Sequence, residues 1–204
     1  MILNWGKILW ILGALLFFLS GCNELTEKKI PKELTAQEIY LQAEQKLKEN
    51  LNAEAAGLYA KVERLYPYSE WAKKSLLMSA VANHQGAFYD ESRADAERYL
   101  DFYPADTNAA YAQYLIALSY YDQIDNVSRD QSVTFKALQA FRTVIERYPD
   151  SEYTSPSLLK FDLSLDHLAG AEMEIGRYYL KRGHFGAAIS RFRVVVEEFE
   201  TTSH

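Results

Sequence analysis

From Thr35 to Pro67 the chain reads TAQEIYLQAEQKLKENLNAEAAGLYAKVERLYP. Apolar residues recur three and four positions apart in two runs of about sixteen residues, either side of a break at Asn50–Asn52. That spacing predicts two amphipathic helices joined by a short turn. The second run closes on Tyr66-Pro67. The same ending returns as Tyr103-Pro104 and Tyr148-Pro149, and Phe199-Glu200 is a fourth copy without the proline. Successive endings lie 37, 45 and 51 residues apart, a period that belongs to stacked helix–turn–helix units rather than to one folded core.

Counting back from each ending, the same chemistry falls at the same offset. Repeat 1 has Ala43, Ala55, Tyr59 and Val62, and repeat 2 has Ala80, Ser92, Ala96 and Tyr99. Repeat 3 has Ala117 and Tyr120, then Ala137, Phe141 and Val144; repeat 4 has Gly176, Tyr179, Ala188, Phe192 and Val195. Small residues let paired helices approach closely, the aromatic fills the gap against the next pair, and proline ends the second helix because it offers no N–H. The pattern is that of a tetratricopeptide repeat. It predicts an all-α solenoid over residues 35–204, with repeats at 35–67, 68–104, 105–149 and 150–204. No further helix follows the fourth ending to cover it, so the array is expected to stop short of a fifth repeat.

Local signals refine this frame. Thr35 with Glu38 forms a capping box, Ser69 caps the third helix, and Trp71 is expected to pack between repeats 1 and 2. Repeat 2 turns at Gly86–Asp90. Repeat 3 carries eight extra residues around Asp122–Ser132, a polar stretch that is either functional or simply tolerated. Ser151–Leu168 adds a helical stretch that runs into Asp166–Leu180, predicting an elongated first helix for repeat 4.

Composition supports a folded helical chain, at 49% hydrophobic and 25% charged residues with few glycines and prolines. A formal net charge of −6 and a pI near 5.3 argue against nucleic acid as a partner. The N-terminus changes the picture more. Lys7 precedes an apolar run, Ile8–Leu19, that is too short to span a bilayer. The run leads into Leu19-Ser20-Gly21-Cys22, which resembles the cleavage box of bacterial lipoproteins. Cys22 is the only cysteine, so it forms no internal disulfide and is the expected acylation site. Residues 1–21 are then a signal peptide and 22–34 a flexible tether. In enterobacterial-type sorting an aspartate after the cysteine retains a lipoprotein in the inner membrane, so Asn23 implies the outer membrane as the expected destination. The competing reading is an ordinary signal peptide with an incidental cysteine.

No catalytic constellation emerges. His84, His167, His184 and His204 lack metal-ligand spacing, and there is neither a nucleophile elbow nor a glycine-rich phosphate loop. No cofactor or enzyme activity is expected. Two surfaces are candidates for binding instead. In such arrays, first-helix side chains at offsets −6, −3, +1 and +4 from the small residue line the concave groove. These are Gln37, Tyr40, Glu44 and Leu47; then Lys74, Leu77, Val81 and His84; then Tyr111, Tyr114, Leu118 and Tyr121. Tyrosines and leucines with few charges suit an extended, aromatic-rich peptide. The alternative is that the tyrosines pack under a neighbouring helix. The second surface is basic: Arg177, Lys181, Arg182, Arg191 and Arg193 cluster in an otherwise acidic chain. Glu174 can absorb Arg177 as an intrahelical pair. The cluster is either a solvated face or a docking patch for an acidic partner.

Several of these segments together resemble the BamD (ComL) family, lipoproteins of the outer-membrane β-barrel assembly machine. They are Leu19–Cys22, the Arg-Leu-Tyr-Pro-Tyr-Ser-Glu-Trp-Ala run at 64–72, Tyr114–Tyr121, Ile145–Ser151 and Gly176–Gly183. The resemblance implies a non-enzymatic scaffold, lipid-anchored on the periplasmic face of the outer membrane. Its first three repeats would receive unfolded outer-membrane proteins, and its later repeats would dock on the barrel subunit BamA. Arg191 matches the family's second-helix arginine near that contact. Accessory lipoproteins are further implied partners, and five repeats are the family's norm. A lipid-anchored scaffold for pilus or cell-wall assembly remains an alternative; a cell-wall enzyme is opposed by the missing catalytic residues.

Cys22→Ala is expected to abolish lipid processing and release the chain from membranes on cell fractionation. Unchanged processing and membrane attachment would refute the lipoprotein reading.

Overall fold

The computed structural model describes residues 33–204, so the signal peptide, Cys22 and nearly all of the tether lie outside the described residues. Eight helices follow one another among those residues, with no strand. They are α1 (Ala36–Lys48), α2 (Asn52–Leu65), α3 (Glu70–Gln85), α4 (Tyr89–Phe102), α5 (Ala109–Tyr121), α6 (Ser132–Arg147), α7 (Thr154–Lys181) and α8 (Phe185–Glu198). Each packs on the helix before and after it, and first helices of successive repeats also touch. This is the all-α tetratricopeptide-type solenoid that the periodicity predicts.

The helix starts form as the caps require. Thr35 Oγ1 accepts from the Glu38 N–H at 3.2 Å, and Glu38 Oε2 accepts from the Thr35 N–H at 2.8 Å, completing the capping box. Ser69 Oγ accepts from the Ala72 N–H at 3.2 Å and donates to the Tyr66 carbonyl at 2.8 Å. Trp71 meets Tyr40 with ring centroids 4.9 Å apart, joining repeats 1 and 2 as expected.

Two turn designs then repeat. Between the helices of repeats 1, 2 and 4, one residue takes a left-handed backbone: Asn50 (φ 58°), Ala87 (φ 59°) and Gly183 (φ 76°). The next N–H reaches back five residues, from Leu51 to Lys46 at 2.9 Å, Phe88 to Asn83 at 2.8 Å and His184 to Tyr179 at 3.0 Å. This satisfies helix-end carbonyls. Repeat 3 replaces that turn with the longer segment between α5 and α6.

At the other edge, Tyr66, Tyr103 and Tyr148 share φ near −133° and ψ near 53°, and Phe199 adopts −127° and 36°. Three residues on, the N–H groups of Ser69, Asp106, Ser151 and Thr202 turn back to those four carbonyls at 3.0–3.1 Å. Phe199 makes the same turn without a following proline. Proline therefore reinforces this turn rather than creating it.

The predicted core positions are buried. Ala43, Ala55, Tyr59, Val62, Ala80, Ser92, Ala96, Ala117, Ala137, Phe141 and Val144 are fully enclosed, and Tyr99 nearly so. Repeat 4 departs in degree: Tyr179 and Phe192 are half-buried, as is Tyr120 in repeat 3, whereas Ala188 and Val195 are buried. Its crossing leaves no room for a methyl group, because a Cβ on Gly176 would lie 2.3 Å from Phe192 Cε1. On α8, Phe185, Ile189 and Val196 stand exposed. The extra stretch and the first helix of repeat 4 form one 28-residue helix, α7. Pro156 sits in its first turn, where no intrahelical N–H bond is lost.

Gly176→Ala should therefore cost about 1–3 kcal/mol through overpacking against Phe192. Gly57, mid-helix in α2 with open space where a Cβ would go, should behave oppositely. Gly57→Ala is expected to gain about 1 kcal/mol from helix propensity. Urea melts check both, and equal stability of the two variants would refute the assigned crossing.

Candidate functional site

The groove residues lie on α1, α3 and α5, the first helices of repeats 1–3, and they differ in how open they are. Tyr40 rests edge-on against Tyr59 at 5.3 Å and stays half-exposed. Leu77 is 9% exposed, and Val81 and Leu118 pack half-buried beside it on the central core. In repeat 3 the tyrosines meet rings of their own chain. Tyr111 and Tyr114 lie 5.1 and 5.4 Å from Tyr153, and Tyr114 and Tyr121 lie 6.2 and 5.8 Å from Phe141. Lys160 Nζ stands 4.3 Å above the Tyr121 ring. The start of α7 thus roofs this part of the groove, so these tyrosines pack under a neighbouring helix. Burial raises the pKa of the Tyr111 and Tyr114 phenols, keeping them neutral. The offsets could not reveal Tyr153 and Lys160, because both belong to the inserted stretch outside the repeat register.

An open cavity of about 410 Å³ remains beside α1 and α3, lined by Tyr40, Lys74, Leu77, Met78, Asp106 and Asn108 among others. Its apolar wall comes from the groove residues themselves. Lys74 Nζ lies 4.9 Å from the Trp71 ring, holding a cation at the rim. Asp106 anchors the far side. Its carboxylate pairs with Lys73 and accepts from the Tyr99 hydroxyl at 2.6 Å and the Asn108 N–H at 2.8 Å. Burial alone would raise its pKa, but the hydrogen bonds from Lys73, Tyr99 and Asn108 outweigh that and hold it at about 2. Asp106 falls outside the repeat offsets that mark the groove. Its one signal is position: it stands two residues after Pro104, where Ser69 and Ser151 stand after Pro67 and Pro149.

Deeper in the groove, His84 Nε2 lies 3.1 Å from Asp122 Oδ2, linking α3 to the end of α5. Burial lowers the His84 pKa more than Asp122 raises it.

The basic residues of repeat 4 are dispersed in their engagements. Arg177 pairs with Glu174 at 3.5 Å, as predicted, and Arg182 stacks 4.6 Å from the Tyr178 ring. Lys181 and Arg193 are exposed. Arg191 is held across the helix pair, its Nη1 donating to both Glu172 oxygens at 2.9 and 3.2 Å. Nothing local in the sequence pairs residues nineteen apart. Only the antiparallel packing of α7 and α8 brings them together. None of the described helices is long and apolar enough to cross a membrane.

Residues 32–204 match the family described as YfiO, outer membrane lipoprotein. The outer membrane protein assembly factor BamD of Caulobacter vibrioides is 48% identical over 151 residues, 74% of this chain and 50% of that protein. BamD of Rickettsia prowazekii is 37% identical over 203 residues, 97% of this chain and 80% of that protein. BamD of Neisseria gonorrhoeae is 27% identical over 188 residues, covering 87% and 70%. The match thus spans only half the length of the Caulobacter relative.

Because the Asp106 pKa is about 2 when folded and near the usual ~3.9 when unfolded, its contribution is present above about pH 4. It is lost as pH falls toward 2. Asp106→Asn should lower stability by about 1–2 kcal/mol at pH 7, and the gap from wild type should close below about pH 2. A gap independent of pH would refute the role of the charge.

Proposed function

The chain belongs to the YfiO family of outer membrane lipoproteins, and on that premise we propose that it is a non-enzymatic scaffold subunit of the outer-membrane β-barrel assembly complex. In this reading it is held on the periplasmic face of the outer membrane through acylated Cys22. Its groove binds unfolded outer-membrane proteins, and its fourth repeat docks on a BamA-type barrel subunit, with accessory lipoproteins as further partners. The names of the relatives, all assembly factors, support the setting.

The observation that carries the client-binding reading is the open cavity between Tyr40, Leu77 and Asn108. It offers an apolar floor of Tyr40, Leu77 and Met78, with Lys74 at its rim. An extended peptide with alternating aromatic residues can place one ring on that floor while its backbone follows the groove. The roofed tyrosines of repeat 3 then form the groove's wall rather than its mouth. For docking, the exposed cations of repeat 4 provide the complement for an acidic surface. Such charges act on association rate and register more than on raw affinity.

Photo-crosslinkers at positions 40 and 74 should capture peptides with the alternating-aromatic C-terminal strand of outer-membrane barrels. Those at 111 and 114 should capture them less, because α7 covers these sites. Capture confined to position 142, on the outer face of α6, would overturn the groove assignment.

A further inference from the structure

Among the described residues Arg191 is engaged through one nitrogen. Nη1 contacts both carboxylate oxygens of Glu172, while Nε and Nη2 have no partner among those residues, on a side chain that is 44% exposed. The guanidinium is therefore fixed along one edge and free along the other. The Nε–Nη2 edge is a planar two-donor fork with the spacing of a carboxylate.

The repeat register makes this pair unusual. Glu172 stands four residues before Gly176, where the other repeats have Ile39, Leu76 and Gln113, all buried. Arg191 stands where they have Leu58, Asp95 and Ala140. Repeats 1–3 build a stable crossing with at most one charge at these two positions. Repeat 4 places opposite charges on both, with side chains 44% and 23% exposed. A pair this open contributes little to stability, so packing alone does not account for it.

We propose that Glu172 is the positioning residue of the docking surface: by holding Nη1, it presents the free edge of Arg191 as a rigid fork for a carboxylate of the partner. The inference rests on the docking reading given above. Its physical content is preorganisation. A free arginine loses rotamer freedom on binding, whereas one already tethered to α7 has lost most of it beforehand. The partner's recognition group is thus an aspartate or glutamate on an accessible surface, and arginine cannot be replaced by lysine, which offers a point charge without the fork.

The test is a double-mutant cycle on the full chain, titrated against the purified soluble domain of the barrel subunit, with thermal melts run in parallel. Glu172→Leu introduces the residue type that repeat 2 carries at this position, so the crossing stays packed. Arg191→Lys is expected to weaken binding by about tenfold or more. Glu172→Leu should weaken it by about fivefold alone and by less than about twofold in the Arg191→Lys background. Melts should stay near wild type for both. If Glu172→Leu tightens binding, Glu172 is a competitor for Arg191 and the proposal is overturned. If it leaves binding unchanged while Arg191→Lys weakens it, the docking reading stands and the positioning role is wrong. If Arg191→Lys itself binds normally, the docking reading fails at this residue.

Discussion

The close crossing of two helices at a small residue is the constraint on which the rest of the molecule depends. Neither helix of a repeat can bury its apolar stripe alone, so each pair must press together and against its neighbours. Ala43, Ala80, Ala117 and Gly176 permit that approach, and Gly176 does so with no room to spare, because Phe192 fills the space a methyl group would need. Once the crossing is set, the turns have little freedom. One edge requires a left-handed residue and the other an aromatic in a fixed backbone state, and both recur with nearly the same angles. That Ala87 accepts a left-handed backbone without being glycine shows how strongly the packing imposes the turn.

Much of this was legible in the amino-acid order because its causes are local. Helix periods, the Thr35 capping box, the aromatic-proline endings and the offsets of the small residues are all written within a few positions of one another. The single long helix of repeat 4 could be read as well, since no proline interrupts the chain from Ser157 to Lys181. What escaped is what depends on residues far apart. The roofing of Tyr111 and Tyr114 by Tyr153 depends on where an inserted stretch lies in space. The Arg191–Glu172 contact depends on the register between two antiparallel helices. Asp106 escaped for another reason: an aspartate after a turn reads as a cap, and its partners Lys73 and Tyr99 come from two other helices.

The groove and the charged repeat divide the surface by chemistry. The cavity beside α1 and α3 combines an apolar wall of Tyr40, Leu77 and Met78 with the charges of Glu70, Lys73, Lys74 and Asp106. Repeat 4 instead exposes cations, among them Lys181 and Arg193, with Arg191 held across the helix pair by Glu172. A solenoid can carry two such different surfaces because each repeat can change its exterior without disturbing the others' cores.

Helix α7 qualifies that independence. It begins at Thr154, beside the tyrosines of repeat 3, and ends at Lys181 among the cations of repeat 4. At 1.5 Å per residue its 28 residues make a rod of about 42 Å. A helix of this kind bends only at the expense of its own hydrogen-bond ladder, and Pro156, its one proline, lies at the very end. In mechanical terms it is a lever whose two arms rest on different surfaces. Over that length a tilt of about 3° pivoting at the basic end would correspond to about 2 Å at Tyr153, so one rigid element joins the roof over the groove to repeat 4.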